Sequence, residues 1–242
     1  MLKHWMRAAG SSIGMKIVMA VSGLGMVLFV IAHMLGNLEL FTGPEGINTY
    51  AMRLRFFPPL LWAMRLGLLV LFVAHVASSL RLTVTNQKAR PLEYARKKHV
   101  TTGIAARTML ISGGAIFAFV VYHLMHFTFR TTNPEYQDLH WEEGSNFFGH
   151  TIAGHDVFAM VVDAFRRHRL VAAVYLVAML FLGLHVSHGF SSMFQTLGMS
   201  HPRYHAAIRR IGPVFATLVV LGFVSVPLAV LLGLVEPVTG GF

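Results

Sequence analysis

The chain has no cysteine and very little charge: of its 242 residues only 12% are Asp, Glu, Lys or Arg, against 55% hydrophobic. The missing thiols exclude cysteine-ligated iron–sulfur clusters, an all-cysteine zinc site, and any haem attached covalently through a pair of thiols. The scarcity of charge excludes an ordinary soluble domain and points to a polytopic membrane protein. Acids are the rarer sign, 10 against 20 Lys plus Arg, for a net charge of +10. That excess does not indicate nucleic acid, because the basic residues lie between apolar runs rather than along one face. Internal repeats and low-complexity tracts are absent, and the chain reads as one domain, 1–242.

What is present is a set of long apolar runs. The longest uncharged stretch is Leu170 to Pro202, between Arg169 and Arg203. A membrane-crossing helix needs about 20 such residues. The pattern predicts an all-α bundle of five transmembrane helices, at about 14–40, 57–82, 104–130, 168–197 and 211–235. The first is too long for a signal-peptide core, and no small-residue cleavage site follows it, so it reads as an uncleaved helix. Pro58 and Pro59 open the second, in a turn that tolerates proline, and Pro227 falls inside the fifth, where a kink is expected. Residues 41–57 read as a loop and Ser200–Arg210 as a basic connection. Within the polar stretch 131–168, apolar residues from Asp156 to His168 recur with helical spacing, as in a helix lying on the membrane surface. Thirteen of the 20 basic residues fall on the side holding the N-terminus and the 81–107 and 203–210 loops. The imbalance predicts a cytoplasmic N-terminus and an external C-terminus in the cell membrane.

Four spans carry a histidine at depth, which is costly without a partner. His33 and His123 come late in helices entering from the cytoplasmic side, so both lie in the outer half. His75 comes late in a helix entering from outside, and His185 follows the start of its own by about 15 residues, so both lie in the inner half. Two levels, each supplied by two helices, is the arrangement that holds two stacked b haems by bis-histidine ligation. Gly25, Gly36, Gly113, Gly114, Gly183 and Gly189 offer small residues near such groups. A single buried histidine is commonly just a hydrogen-bonded interior residue; four matched in depth are harder to explain that way. His126 and His188 each lie three residues beyond a candidate, on nearly the same face and one turn nearer water. Either can replace its neighbour as ligand, or contact a haem propionate or quinone. Arg65 either snorkels to the headgroups or faces an outer propionate. Asn37 and Glu39 are candidates for a quinone's oxygen or proton. The other histidines, His155 among them, read as surface residues. A metal-ion permease is the rival class, but it expects carboxylates within the spans and broken helices, and no Asp or Glu lies deep in any span.

Several strings resemble one family. Ser11-Ser-Ile-Gly-Met-Lys, Met19-Ala-Val-Ser-Gly-Leu and Ala32-His-Met-Leu-Gly-Asn-Leu-Glu-Leu-Phe are similar to the first helix of the cytochrome b membrane anchor of succinate dehydrogenase/fumarate reductase, of the single-subunit, five-helix, di-haem type. Val121-Tyr-His-Leu-Met-His-Phe resembles its third helix. Val162-Asp-Ala-Phe and Gly183-Leu-His-Val-Ser-His-Gly-Phe-Ser-Ser-Met-Phe-Gln-Thr-Leu-Gly-Met-Ser-His-Pro-Arg-Tyr resemble its fourth. The resemblance implies ligands at His33, His75, His123 and His185, paired 33 with 123 and 75 with 185. It also implies an FAD flavoprotein and an iron–sulfur subunit on the cytoplasmic face, and electron delivery to a quinone, menaquinone by expectation. Some quinol:fumarate reductases of this type carry a glutamate two residues before the fourth-helix ligand; here that residue is Gly183. The difference favours a succinate:quinone oxidoreductase. A fumarate reductase anchor running in reverse, or a di-haem cytochrome b serving another dehydrogenase, are the alternatives.

Overall fold

The computed structural model describes residues 10–89, 103–141, 146–147, 150–151, 154–199 and 201–237. The basic residues Lys3, Arg7, Arg90, Arg96, Lys97 and Lys98, and the acids Glu142 and Glu143, lie outside the described residues.

Helix α1 (Ser12–Leu38) starts where the Ser11 hydroxyl accepts a hydrogen bond from the Gly14 amide and runs 27 residues. At about 1.5 Å per residue that is about 40 Å, more than the roughly 30 Å of bilayer hydrocarbon. A 3-10 turn, Glu39–Thr42, leads into α2 (Pro44–Arg55). The expected loop over 41–57 is therefore mostly helix, started by Pro44 at its first position and ended by Arg53 and Arg55, which suit the negative end of the helix dipole. Helix α3 (Pro58–Lys88) continues six residues past the predicted end at Leu82. Its Thr83 and Thr85 hydroxyls bond back to carbonyls one turn earlier, so this polar extension stays helical.

The third span is jointed. Helix α4 (Ile104–Arg107) and α5 (Met109–His123) meet at Thr108, and α5 runs into a π-helical turn, Leu124–Thr128, closed by the Phe129 amide donating to the Leu124 carbonyl at 2.7 Å. A 3-10 turn (Pro134–Asp138) follows, then four two-residue strands, β1 (His140–Trp141), β2 (Asn146–Phe147), β3 (His150–Thr151) and β4 (Gly154–His155); β1 pairs antiparallel with β4, and β2 with β3. Next come α6 (Val157–Arg167), α7 (Arg169–Thr196) and α8 (His205–Leu231). The fifth span begins six residues before the predicted Ile211, so the 200–210 connection is shorter than expected. Gly198 (φ 79°) and Gly233 (φ 70°) end α7 and α8. In each the glycine amide and the next amide return to carbonyls of the last turn, which requires a left-handed residue.

Five of these helices are long and apolar enough to cross a membrane, and the molecule is an all-α bundle suited to a multi-pass membrane protein. Leu66, Leu69, Val70 and Val73 on α3 are exposed, as expected for a surface solvated by lipid. Helix α1 packs on α3, α7 and α8; α7 packs on α5 and most closely on α8. The pairs α1/α5 and α3/α7 are not among the closely packed pairs.

One end of the bundle is capped. The helical spacing expected over 156–168 forms α6, which lies against α2, α7 and α8, with Phe158, Met160, Val161, Val162, Ala164 and Phe165 buried. Phe158, Val161, Val162 and Phe165 form the largest buried cluster with Leu40, Ile47, Ala172, Tyr175, Val226 and Val230, while Met160 and Ala164 pack on Tyr136. Asn48 of α2 locks the cap: its Oδ1 accepts from the Val157 and Phe158 amides (2.8 and 3.1 Å), and its Nδ2 donates to Asp156 Oδ1 (2.9 Å). Asp156 also accepts from the Ala159 amide and its own amide donates to the Leu139 carbonyl, so all four orphan amides of α6 are satisfied.

Candidate site: two histidine pairs at two levels

The structure brings the four span histidines together in pairs, across the helices that do not pack directly. His33 on α1 meets His123 on α5 with ring centroids 5.7 Å apart. His75 on α3 meets His185 on α7 at 6.2 Å. In each pair the ring planes are steeply inclined, by 81° and 64°.

Two glycines fix the vertical spacing. A Cβ on Gly23 would lie 3.3 Å from His75 Cε1, and one on Gly113 would lie 3.4 Å from His185 Cε1. Gly23 precedes His33 on α1 by ten residues, and Gly113 precedes His123 on α5 by ten. Both helices thus give the same offset, about 15 Å between the levels at 1.5 Å per residue. The pair 33/123 lies towards the capped end and 75/185 towards the other. Of the glycines expected near such a site, Gly113 is against a histidine. Gly25 faces Leu71, Gly36 faces Tyr50 and Gly183 faces Val220, while Gly114 and Gly189 have open space where a Cβ would go. Gly23, which does touch a ring, was not among them.

Hydrogen bonds assign ring nitrogens. His75 Nδ1 is 3.1 Å from the Met19 carbonyl, which can only accept, so Nδ1 carries the proton and Nε2 keeps its lone pair. His185 Nδ1 is 3.3 Å from Ser112 Oγ. Ser112 donates its own proton to the Met109 carbonyl, so the serine accepts and His185 Nε2 is likewise left basic. His123 Nδ1 is 3.3 Å from the Tyr175 hydroxyl, and His126 Nδ1 is 3.0 Å from the same oxygen. A protonated Nδ1 tied to a neighbour and a free Nε2 is the usual condition of a metal-binding imidazole.

Each pair has the spacing to hold one metal ion between its two rings. Two imidazoles sharing one metal at about 2 Å per nitrogen have ring centroids about 6 Å apart, and both pairs match that. Among the described residues no three of His, Asp and Glu gather as a metal's own ligand set. A metal held by only two imidazoles must bring its remaining ligands with it.

The other candidates fall at the capped end or near it. His126, expected one turn nearer water than His123, is fully buried. The π turn that carries it and the cap above it enclose the ring among Tyr122, Phe127, Tyr136 and Tyr175. His188 is half-buried on α7. Asn37 donates to the His33 carbonyl at 2.7 Å, which uses its amide within α1. Glu39 lines a cavity of about 370 Å³ with Thr42, Glu45, Gly46, Thr49, Tyr50 and Arg53. The Thr49 hydroxyl is buried there without a hydrogen-bond partner. Arg65 is exposed with its guanidinium 5.2 Å from the Trp62 ring centre, as a snorkelling arginine would be.

Sequence reasoning missed three things here. Burial, with Arg130 and Arg65 nearby, pushes the Arg55 guanidinium below its ordinary value, marking a cationic cluster at the capped end. His155, read as a surface residue, is buried: Arg130 donates to its Nδ1 at 3.0 Å, and burial with the Arg130 and Arg55 charges lowers its pKa to about 4. Asp163 holds Tyr136 through a hydrogen bond at 3.1 Å and Arg167 through an ion pair. Polar residues isolated in apolar runs, Ser22, Ser112 and Tyr175, were the available signal for the groups around the histidines. Comparison with known protein families, with curated proteins and with solved structures returned no match for this chain.

Proposed function

We propose that the chain is the membrane-anchor cytochrome b subunit of a succinate:quinone oxidoreductase, holding two b haems, one by His33 and His123 and one by His75 and His185. The observation that carries the reading is the geometry of the two pairs: near-metal-sharing spacing at two levels, on helices that the rings bridge. When bound, each iron supplies reversible one-electron chemistry. The chain's own part is to hold the groups in register. Met19 and Ser112 orient His75 and His185, while Gly23 and Gly113 keep the space beside those rings clear. At the capped end, Arg55, Arg130 and Arg65 suit carboxylates of a porphyrin edge, and the cavity at Glu39 suits a quinone head, with Thr49 and Tyr50 as hydrogen-bonding groups and Glu39 or Glu45 as proton acceptor. Menaquinone is the proposed quinone. The flavoprotein and iron–sulfur partners belong on the opposite, cytoplasmic face, on the 75/185 side. That assignment rests on the sequence strings and on the excess of Lys and Arg there.

Native purification with haem quantitation and identification of bound subunits tests this. Two b haems per chain are expected, with His33→Ala and His75→Ala each removing a different one. Full haem content after loss of any one of the four histidines would sink the ligand assignment. Co-purification with a dehydrogenase other than a succinate or fumarate enzyme would redirect the function.

A further inference from the structure

We infer that Tyr175 is a positioning residue that fixes the ring plane and tautomer of His123 and, through the same hydroxyl, the tautomer of His126. The inference rests on His123 being an axial ligand, as proposed above. A ligating His123 gives its Nε2 lone pair to the metal, so its Nδ1 carries the proton and can only donate. The group it reaches is the Tyr175 hydroxyl oxygen, at 3.3 Å. A phenol has a single proton, and with its oxygen accepting from His123, that proton goes to the other nitrogen in reach, His126 Nδ1 at 3.0 Å. The direction of the chain is therefore set: His123 Nδ1–H to Tyr175 oxygen, Tyr175 O–H to His126 Nδ1. It has a cost at the far end. His126 Nε2 is buried without a hydrogen-bond partner. In this chain Nε2 is the protonated nitrogen of a neutral ring, and its unpaired N–H costs less than a buried imidazolium would.

The phenol is well placed to act as a fixed support. Tyr175 is buried and its ring is packed against Phe119, Phe127 and Phe165, at centroid distances of 4.9, 5.6 and 5.1 Å. The other level is supported differently, by a backbone carbonyl and a serine. The two pairs therefore differ in the hydrogen bond behind one ligand, a lever that tunes the iron.

Tyr175→Phe removes the hydroxyl and keeps the packed ring. The test is made on the assembled, haem-loaded protein in its membrane, reading haem content, the low-spin electron paramagnetic resonance signal of each haem and each midpoint potential. Expected is a shift in the g anisotropy and potential of one haem, the one lost in His33→Ala, with the other unmoved. Loss of that haem alone also supports the role. His126→Phe, which leaves the Tyr175–His123 bond in place, should shift the same signal less, and it decides the matter if Tyr175→Phe does not accumulate. Two unchanged signals in Tyr175→Phe, or an equal or larger shift in His126→Phe, would overturn the inference. Absence of haem from the wild-type chain would instead overturn the function proposed above.

Discussion

Replacing Asn48 with alanine tests whether the cap is a separable lid or part of the bundle core. Asn48 is fully buried and makes three hydrogen bonds, two from the first amides of α6 and one to the Asp156 carboxylate. At about 1 kcal/mol each, the loss is about 3 kcal/mol. The cost should fall locally, because Asn48 ties α2 to α6 and nothing else. A local opening easier by about 3 kcal/mol is about 100-fold more frequent. Amide hydrogen exchange on the intact protein reads this directly. Peptides covering Val157–Arg167 should lose about two decades of protection, while the middle of α7 should keep its own. Asn48→Asp separates the two halves of the interaction. It keeps the acceptor for the Val157 and Phe158 amides but sets a carboxylate against Asp156. One of those carboxyl groups then has a raised pKa in the folded state, so protection should be best at low pH and fall as pH rises through that value. Unchanged exchange in Val157–Arg167, or an equal loss along the whole chain, would refute the reasoning.

Three further outcomes follow from the same geometry. Gly113→Leu should push His185 aside, since even a Cβ there is 3.4 Å from the ring, and should halve the haem content; Gly67→Leu, with open space at its Cβ, should leave it unchanged. His155 has a pKa lowered from 6.5 to about 4, so the folded state resists protonation. Docking of the β1–β4 ribbon should be strongest above pH 6.5 and weaken as pH falls from there to about 4, and His155→Gln should flatten that dependence in exchange at Met160. Asp163→Ala strands the Tyr136 hydroxyl, which is 1% exposed, and should cost roughly 2 kcal/mol. Adding Tyr136→Phe should restore part of the melting temperature, because the orphaned hydroxyl goes with it.

The spans were legible because lipid asks for one thing, an uninterrupted apolar run with its backbone bonds satisfied internally. Leu170–Pro202 announces itself that way, and α7 occupies most of it. The depth of each histidine followed from counting residues from the span ends, and the structure brings together the residues that share a level. The cap was harder to read. Pro44–Arg55 is polar on average and short, and its helix exists because Asn48, Ile47 and Met52 are buried under α6 and β4, which is a tertiary fact. The burial of His126 was likewise hidden. Position three after His123 says which face it takes, but only the π turn and the 134–138 segment above it determine that water does not reach that face. His155 looked like one more surface histidine until Arg130, 25 residues earlier, was found against it.

The packing order of the helices bears on how the bundle comes together. Helices α1 with α3, α5 with α7, and α7 with α8 make close contacts, whereas the helices that carry paired histidines, α1 with α5 and α3 with α7, do not. Each pair therefore joins two helices, α1 to α5 and α3 to α7, that make few other contacts with each other. The bundle is otherwise held through α1 against α3, α7 and α8 and through the cap. A plate held at each of the two levels by one histidine from each helix would join these pairs of helices as well. Anything binding only the assembled form stabilises it by mass action. If the pairs hold haems as proposed, cofactor insertion would tie α1 to α5 and α3 to α7 in one step. It also explains why Gly23 and Gly113 lie on α1 and α5, the helices whose other ends carry His33 and His123. Each of these helices carries a paired histidine at one level and clearance for a ring at the other, so a register shift in either would disturb both pairs together.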